Sequence, residues 1–412
     1  MILVFNTGSS TLKFGCYEAG SLKSLATGLI DWSGKEKAEI VLIGNGKELL
    51  RKSSPIRDYR SAVFEALGVL KETRTVPIEK ARMSISVVGH RVVHGGTKFQ
   101  SSVALDPTVK EAIRELSELA PLHNPPSLEA IEAAEAVLPG VPQVAVFDTT
   151  FFSELPPKAY IYPVPYQWFT EWGIRRFGFH GISHNYCAER VTELLNQDKE
   201  GQNLTICHLG NGCSATAVRD GKAIATTMGF TPLEGLMMGS RSGSIDPGIL
   251  LHAQKKNGLA VDDLDRVLNN ESGLLGVSGV SSDFREVEQA AKKKNARAQL
   301  ALDIYADRVR SSIGSLAVTL GNVGALIFTG GVGENSASLR VAVCEGLQCR
   351  GIFLDGEKNR SSQLDADIAT KDSKARILAI HTQEEFMIAR EAANVFSGSV
   401  IHQKVKSERD NG

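Results

Sequence analysis

One short pattern occurs twice in this chain, and it limits the folds that the chain can adopt. Residues 3–17 contain two strand-like runs that flank the turn Asn-Thr-Gly-Ser-Ser at 6–10. Residues 204–218 contain two similar runs around the turn Gly-Asn-Gly at 210–212. Elsewhere short strand-like runs alternate with helical spacing, which is typical of the α/β class. We therefore predict two related α/β domains, each aiming a glycine turn at a common cleft.

The length and the charge of the chain narrow the class of protein further. Its 412 residues exceed the ~250–300 residues at which single hydrophobic cores stop growing, so we expect at least two domains. Forty-six Lys and Arg residues stand against 47 Asp and Glu, which leaves a formal charge of −1. This balance argues against a general nucleic-acid-binding or membrane-surface protein, and neither kind of partner is expected.

The cysteines and the apolar runs bear on location. The six cysteines are scattered, with no Cys-x-x-Cys pair, which favours reduced thiols over a disulfide framework or a zinc site. No basic region precedes the short apolar run at the N-terminus, so no signal peptide is predicted. The apolar stretch at 316–328 is interrupted by Thr, Asn and Gly and is shorter than the ~20 apolar residues of a membrane span. We expect a cytoplasmic protein.

Three glycine turns each follow a predicted strand, at residues 6–10, 210–212 and 330–333. Glycine lets backbone N–H groups converge on an anion, so such turns can bind phosphate, although any one of them is also an ordinary hairpin or helix cap. The chain has no Gly-x-x-x-x-Gly-Lys-Ser/Thr motif, which argues against a P-loop. Residues 210–215 resemble a dinucleotide fingerprint, but β-branched residues and an Asp-Gly turn follow instead of a helix. A Rossmann site is therefore not expected.

Four charged or titratable side chains stand out by their settings. Arg91 and Arg241 lie among glycines and other small residues, where a guanidinium fork can bind carboxylate or phosphate. His180 lies in the run Phe-Gly-Phe-His-Gly, whose glycines indicate close approach of a ligand. Asp148 ends a predicted buried strand at 143–147, where α/β enzymes place metal-binding or proton-handling carboxylates. A helix N-cap is the alternative role for Asp148.

Three helices and one irregular stretch are also predicted from the sequence. Apolar spacing predicts helices at 109–119, 127–138 and 286–320, the last of them begun by a capping box at 283–286. A Pro- and aromatic-rich stretch at 156–168 is not expected to be regular helix. We interpret that stretch as a crossing between domains.

Seven segments carry a family resemblance, and they span nearly the whole chain in order. They are residues 6–13, 90–96, 177–184, 208–212, 231–243, 330–335 and 384–385. The run Thr-Pro-Leu-Glu-Gly-Leu-Met-Met-Gly-Ser-Arg-Ser-Gly at 231–243 is the most specific of them. Together the segments resemble the acetate kinase family, which belongs to the superfamily of acetate and sugar kinases, Hsp70 and actin.

The resemblance implies a duplicated two-domain α/β fold of the ribonuclease H-like kind, with a nucleotide clamped in an interdomain cleft. The N-terminal domain would span residues 1–150 and be completed by 386–412. Residues 151–385 would form the C-terminal, nucleotide-binding domain. A homodimer is implied in the same way.

The resemblance also implies an activity, the phosphorylation of acetate by ATP with Mg²⁺, giving acetyl phosphate and ADP reversibly by direct in-line transfer. The implied catalytic residues are Asp148, His180 and Arg241. The implied acid-binding residues are Arg91, Val93, Leu122, Phe179 and Pro232. The implied ATP-binding residues are Lys13, His208, Leu209, Gly210, Asn211, Gly212, Asp283, Phe284, Arg285, Gly331, Val332, Gly333, Glu334 and Asn335. Asn6 and Glu384 would lie at the metal site, with Mn²⁺ as the alternative ion.

Two alternatives to this activity stay open at the level of sequence. Val93 matches the acetate-acting members, since relatives acting on propionate tend to carry a smaller residue there. One methylene is nevertheless worth only about 1–3 kcal/mol of discrimination, so a kinase for propionate or another short-chain carboxylate is the first alternative. The second is a non-catalytic, ATP-gated binding protein on the same fold.

Four positions depart from the family pattern. Ser127, Phe152, Ser244 and His381 stand where the family usually has Asn, His, Asp and Pro. None of these departures removes a predicted catalytic group. They leave the substrate preference more open than the reaction type.

Overall fold

The computed structural model describes residues 1–8, 10–33, 36–73 and 85–410, and the described chain divides into two compact units. Unit 1 contains Met1–Thr150 and Gln383–Gly412, and unit 2 contains Phe151–Thr382. The domain limits drawn from the sequence differ from these only at the second boundary, since they assign residues 383–385 to the other domain. Within the described ranges, no helix combines the length and the hydropathy that crossing a membrane requires.

Unit 1 is built on one mixed sheet. Its described strands are β1 (Ile2–Thr7), β2 (Thr11–Tyr17), β3 (Ser24–Asp31), β4 (Ala38–Gly44), β5 (Lys47–Ser54), β6 (Val87–Val92), β7 (Val103–Ala104) and β8 (Gln143–Phe147). They lie in the order β5-β4-β3-β2-β1-β6-β8-β7. An antiparallel hairpin joins β1 to β2, whereas β1, β6 and β8 are parallel neighbours. The central strands β1 and β8 are buried at every position, which explains why they read as continuous apolar runs.

Helices cover this sheet. They are Tyr59–Glu72, Pro107–Glu115, Asn124–Val137 and Glu384–Asp410, with a 3₁₀ turn at Leu116–Glu118. The first helix begins at the N-cap Asp58, whose side chain accepts a hydrogen bond from the Ser61 amide. Its buried residues recur every three or four positions, and they join Phe5 and Phe14 of the sheet in one apolar core. The predicted helices at 109–119 and 127–138 are thus confirmed, with shifted ends.

Unit 2 repeats the arrangement on a second sheet. Its described strands are β9 (Asn203–Leu209), β10 (Cys213–Arg219), β11 (Lys222–Thr226), β12 (Ala325–Thr329), β13 (Ala366–Asp367) and β14 (Arg376–Ala379). Their order is β11-β10-β9-β12-β14-β13. Again an antiparallel hairpin, β9 to β10, precedes two parallel neighbours, β12 and β14. The shared order confirms the prediction of two related α/β domains.

The helices of unit 2 correct three expectations. They are Pro157–Tyr160, Tyr166–Trp172, Gly181–Leu195, Pro247–Asn257, Val261–Asn270, Gly273–Ser278, Phe284–Lys292, Ala296–Leu320, Gly330–Asn335, Ala337–Cys344 and Gly356–Ser361, with 3₁₀ turns at Thr150–Phe152 and Leu347–Arg350. The prediction of one helix over 286–320 is wrong, because Lys294 has φ 66° and Asn295 caps a new helix. The segment 330–335 is a short helix rather than a turn. The proline- and aromatic-rich stretch contains a four-residue helix and the start of a second one.

Candidate active site

Three polar side chains meet at one edge of the sheet of unit 1. Asn6 lies near the end of β1, Arg91 near the end of β6, and Asp148 directly after β8. These strands are parallel neighbours in the order β1-β6-β8, so their carboxyl ends point to the same edge. Residues far apart in the chain therefore form one cluster, and all three were predicted as site residues.

Arg91 and Asp148 form the buried centre of this cluster. The Arg91 Nε and Nη2 atoms lie 3.1 and 2.5 Å from the same Asp148 oxygen, Oδ2. The Asp148 side chain is fully buried, and that of Arg91 is 12% exposed. Burial lowers the pKa of Arg91, but the charges of Asp148 and Glu384 more than offset this effect, so its pKa lies above the ordinary value. Arg91 is therefore a permanent cation at this edge of the sheet.

Arg91 is also held by the chain around the first glycine turn. Its Nη1 donates to the Thr7 carbonyl at 3.0 Å and to Asn6 Oδ1 at 3.4 Å. The Tyr59 hydroxyl donates to the Gly8 carbonyl at 2.6 Å. Ser9 of this turn lies outside the described residues. Hydrogen bonds to two consecutive carbonyls, those of Thr7 and Gly8, thus position the guanidinium and the turn.

Two adjacent glutamates approach Asn6 from the start of the helix Glu384–Asp410. The Asn6 Nδ2 donates to Glu384 Oε2 at 3.1 Å and to Glu385 Oε1 at 2.9 Å. Lys13, which pairs with Asn6 across the hairpin, has its Nζ 3.9 Å from Glu384 Oε2. Glu385 belongs to the segment 384–385 of the family resemblance, but it is not among the predicted site residues.

The donor set of this cluster fits magnesium. Carboxylate and amide oxygens are the ligands that Mg²⁺ prefers, and Mg²⁺ is usually bound by one or two carboxylates together with waters and substrate phosphates. Among the described residues, no three His, Cys, Asp or Glu side chains form a group that could hold a metal ion. Glu384 with the neighbouring Asn6 amide suits an ion shared with a substrate rather than a cage made by protein alone.

In unit 2, His180 is fixed at the start of a helix. It has φ 58°, in the left-handed region, and serves as N-cap of Gly181–Leu195. Its Nδ1 lies 3.0 Å from Ser214 Oγ, and His184 Nε2 lies 2.7 Å from the same oxygen. The ring of His180 stacks on that of His208, with centroids 4.3 Å apart. Ser214 and His184 were not predicted, although His184 lies one helical turn after His180.

Arg241 and His180 both face the second glycine turn. A Cβ added to Gly212 would lie 3.2 Å from His180 Nε2 and 3.7 Å from Arg241 Nη1. The Arg241 Nη1 donates to the Pro232 carbonyl at 3.3 Å, and the amide of Gly239 donates to the Asn211 carbonyl at 3.0 Å. The structure therefore brings together an imidazole, a guanidinium and backbone free of side chains. Such a set of donors suits a phosphoryl group.

Glu334 fixes the start of its own short helix, Gly330–Asn335, from the inside. Glu334 Oε1 accepts from the amides of Gly330 and Thr382 at 3.0 Å each, and Oε2 lies 2.7 Å from His381 Nδ1. Burial raises the pKa of Glu334, but these hydrogen bonds lower it, and the net pKa is below its ordinary value. Glu334 is predicted to bind ATP; in the structure its side chain contacts the Gly330 amide and residues 381–382, and the ATP-binding role stays a prediction.

The three predicted ATP-binding residues at 283–285 each have a different setting in the structure. Asp283 caps the helix Phe284–Lys292 by accepting from the Arg285 amide. The Arg285 side chain is 85% exposed and pairs with Asp283. Phe284 is buried against Tyr305, with ring centroids 5.5 Å apart. The N-cap of the predicted capping box is thus confirmed at Asp283.

The predicted acid-binding residues are divided between the two units. In unit 1 Val93 is buried, whereas Leu122 is 45% exposed. In unit 2 Phe179 is buried next to His180, and Pro232 is partly buried and accepts from Arg241 through its carbonyl.

The four departures from the family pattern take ordinary structural roles. Ser127 Oγ lies 3.0 Å from Thr7 Oγ1. Phe152 is buried in a small apolar cluster, and Ser244 Oγ accepts from the Gly235 amide at 3.0 Å. The main chain of His381 donates to Asp365 Oδ1 at 2.8 Å.

Comparison with known proteins agrees with this geometry. A family model described as the Acetokinase family matches residues 1–390. The chain belongs to the acetokinase family. The acetate kinase of Cyanothece sp. (strain PCC 7425 / ATCC 29141) is 50% identical over 397 residues, which cover 95% of this chain and 97% of that protein. The family predicted from the sequence is thus confirmed.

Solved structures of the acetokinase family are similar as well. A propionate kinase from Francisella tularensis subsp. tularensis SCHU S4 has a TM-score of 0.87 and 39% identity, over 96% of this chain and 99% of that one. Porphyromonas gingivalis acetate kinase has a TM-score of 0.84 and 41% identity, with the same coverage. The predicted fold class is confirmed by these similarities.

Proposed function

We propose that this chain is an acetate kinase, which transfers the terminal phosphoryl group of ATP to acetate and forms acetyl phosphate and ADP reversibly. The observation that carries this proposal is the convergence of His180 and Arg241 on the Gly212 turn, in a chain of the acetokinase family. In phosphoryl transfer, negative charge spreads over the equatorial oxygens of the transferring group. Preorganised donors at those oxygens are the main catalytic contribution that a protein makes.

The reaction needs little proton chemistry. An acetate oxygen attacks the γ-phosphorus, the bond from that phosphorus to the β–γ bridging oxygen breaks, and ADP leaves with the electron pair. Acetate is already ionised near pH 7, so no strong general base is required. We therefore assign to Asp148 the holding of Arg91 and the orientation of a metal or water rather than the role of an obligatory base.

The remaining roles follow from the charges of the residues. Arg91 would bind the acetate carboxylate through its charge and its remaining donor, because its Nε and Nη2 already face Asp148. His180 and Arg241 would donate to the transferring phosphoryl group, and Lys13 would contact the ATP phosphates. Glu384 and Asn6 would hold the divalent ion, and Mg²⁺ is the first choice because its ligands are oxygens. That ion would neutralise charge on the phosphates.

Three finer points belong to the same proposal. Acetate is favoured over propionate by Val93, whereas the similarity to a solved propionate kinase favours the propionate alternative. A homodimer is expected from the family. The six cysteines form no disulfide bonds among the described residues, which suits a reducing cytoplasm.

The test measures ADP formation with Mg²⁺ and a series of acids, namely acetate, propionate and butyrate. We expect acid-dependent turnover, greatest with acetate. A preference for the longer acids would show that the acceptor is propionate or another short-chain acid rather than acetate. Nucleotide binding without acid-dependent turnover would instead indicate a non-catalytic binding protein.

Arg241→Ala tests the site assignment itself. Turnover should fall at least ~10²-fold, the size expected for loss of one preorganised donor, with nucleotide affinity largely kept. Arg266→Ala is the matched control, because Arg266 is about half exposed and pairs only on the surface with Asp263 and Glu271. Unchanged turnover in Arg241→Ala would overturn the assignment.

A further inference from the structure

We propose that Arg176, Glu234 and Tyr162 form a positioning cluster in unit 2. It holds the two segments that carry the predicted acid-binding residues Phe179 and Pro232, and it thereby affects the discrimination between acetate and longer acids. The inference rests on the proposed function, because it assigns a role in selecting the acid. None of the three residues is itself a predicted catalytic group, although the segments that they hold continue into His180 and Arg241.

The three side chains are joined by direct contacts. Arg176 Nη2 lies 2.7 Å from Glu234 Oε1, and the Tyr162 hydroxyl donates to the other oxygen of Glu234, Oε2. The guanidinium carbon of Arg176 also lies over the Tyr162 ring, 5.2 Å from its centroid. The Arg176 side chain is only 16% exposed and that of Glu234 is 34% exposed. Because water is largely excluded from Arg176, the pair is worth more than a surface ion pair.

The cluster ties together two segments that carry predicted site residues. Arg176 Nη1 donates to the carbonyls of Thr227 and Met228 at 2.9 Å each. The Phe177 amide donates to the Gly229 carbonyl, also at 2.9 Å. The segment that begins at Arg176 continues directly into Phe179 and His180. The segment held at 227–229 continues into Pro232 and Arg241.

The second segment packs directly against the positioning cluster. A Cβ at Gly229 would lie 1.7 Å from Glu234 Oε2 and 2.2 Å from the Tyr162 hydroxyl oxygen, so a side chain there would displace both groups of the cluster. Pro232 lies two residues before Glu234, and its carbonyl accepts from Arg241 Nη1 at 3.3 Å. A displacement of Glu234 therefore moves Pro232 and Arg241 relative to Phe179 and His180.

The expected consequence is a change in selectivity. One methylene in an apolar pocket is discriminated by only about 1–3 kcal/mol, so a small shift of the Pro232 carbonyl and ring is sufficient to change the preferred acid. Loss of general stability would not change the ratio of two acids. The ratio of kcat/KM for acetate to that for propionate is thus the diagnostic quantity.

The test compares Glu234→Gln and Tyr162→Phe with the wild type. Glu234→Gln keeps an acceptor for Tyr162 but loses the charge that faces Arg176, and Tyr162→Phe removes a single hydroxyl. We expect the acetate KM to rise at least ~5-fold and the acetate-to-propionate ratio to fall at least ~5-fold, a part of what one methylene is worth. Nucleotide affinity, measured by calorimetry with ADP, should stay within about twofold, since these residues touch no predicted ATP-binding group.

Glu154→Gln is the matched control. Glu154 lies in the same unit, and its side chain, which is 66% exposed, pairs with Lys222 at 2.6 Å. If Glu234→Gln does not fold, Tyr162→Phe carries the test alone. A ratio equal to that of the wild type in a folded Tyr162→Phe variant would overturn the inference. A wild-type protein without acid-dependent turnover would overturn the proposed function as well, so the two failures are distinguishable.

Discussion

Arg91 and Asp148 are joined through a single carboxylate oxygen, because both Nε and Nη2 of the arginine point at Asp148 Oδ2. In this pair a guanidinium fork, rather than a point charge, determines the geometry of predicted site residues. Its orientation sets where the remaining Arg91 donor points.

Arg91→Lys tests the importance of this fork. Lysine keeps the positive charge beside Asp148 but cannot reproduce the planar set of donors. Loss of one charge-assisted hydrogen bond is worth about 1.5–3 kcal/mol, so kcat/KM for acetate should fall on the order of 10- to 100-fold. Steady-state kinetics with varied acetate measure it, and Arg60→Lys, on an exposed helical position, is the control. Equal kinetics in both variants would contradict the carboxylate-binding role.

Ser214→Ala tests the chain of hydrogen bonds behind His180. If His180 carries its proton on Nε2, facing the Gly212 turn, its Nδ1 accepts from Ser214, and Ser214 accepts from His184 Nε2. Removing the hydroxyl takes away the hydrogen bond that fixes the tautomer of His180, although the ring still stacks on that of His208. We expect kcat to fall at least about 10-fold, within the range for a misplaced proton donor, with the nucleotide KM unchanged.

Thr205→Val is the control for Ser214→Ala. Thr205 is fully buried on the neighbouring strand β9, and within the described chain its hydroxyl has no hydrogen-bond partner. Its replacement by an isosteric apolar side chain should leave both kcat and stability nearly unchanged. A fall in kcat of equal size in the two variants would indicate packing rather than proton placement.

His90 should make the protein less stable in mild acid. It is buried on β6, where its Nε2 lies 2.7 Å from Gln143 Oε1, and burial lowers its pKa from 6.5 to about 4. Between these two values the unfolded chain binds a proton that the folded chain does not. The free energy of unfolding therefore falls as pH drops from 6.5 to 4, by about 3 kcal/mol in all from this group.

The measurement is urea unfolding at several pH values between 4.5 and 7.5, for the wild type and His90→Gln. Glutamine does not titrate, so the variant should lose this part of the pH dependence while keeping the contribution of other groups. Identical slopes for the two proteins below pH 6.5 would show that His90 is protonated in the folded state.

Val93→Ala should shift the acid preference towards propionate. Val93 is buried in unit 1, and removal of its two terminal methyl groups leaves room for one more methylene. The ratio of kcat/KM for propionate to that for acetate should rise about 10-fold or more, in line with about 1–3 kcal/mol per methylene. Competition assays with both acids measure this ratio. An unchanged ratio would contradict the prediction that Val93 lines the acid-binding pocket.

Position along a strand explains why residues predicted from the sequence lie together. Asn6 was predicted from the family resemblance, and Arg91 and Asp148 from their places at the ends of strands; parallel strands bring all three to one edge of the sheet, while their roles stay predictions. The sequence did not indicate Ser214 or Arg176 as neighbours of the site, and it gave Glu234 only as part of the 231–243 run, without a role of its own. Their roles depend on contacts across segments, and a serine in an apolar strand or an arginine before an aromatic residue carries no signal of its own.

The long helix predicted at 286–320 shows the same limit within a single element. The apolar spacing continues across the break, and the residues from Lys292 to Asn295 are polar, as on any exposed helical face. Only the backbone reveals that Lys294 adopts a positive φ and that Asn295 caps a second helix.

The amino-acid sequence alone determined the α/β class, the duplication of the strand-turn-strand unit and the family, because periodicity and short motifs are local properties of a chain. Tertiary structure alone decided which oxygen of Asp148 receives Arg91, that Ser214 links His180 to His184, and that Glu334 faces inward to hold the start of a short helix. Those relations depend on distances of a few ångströms between segments remote in sequence. They are set by the packing of the sheet and its helices, which no local pattern encodes.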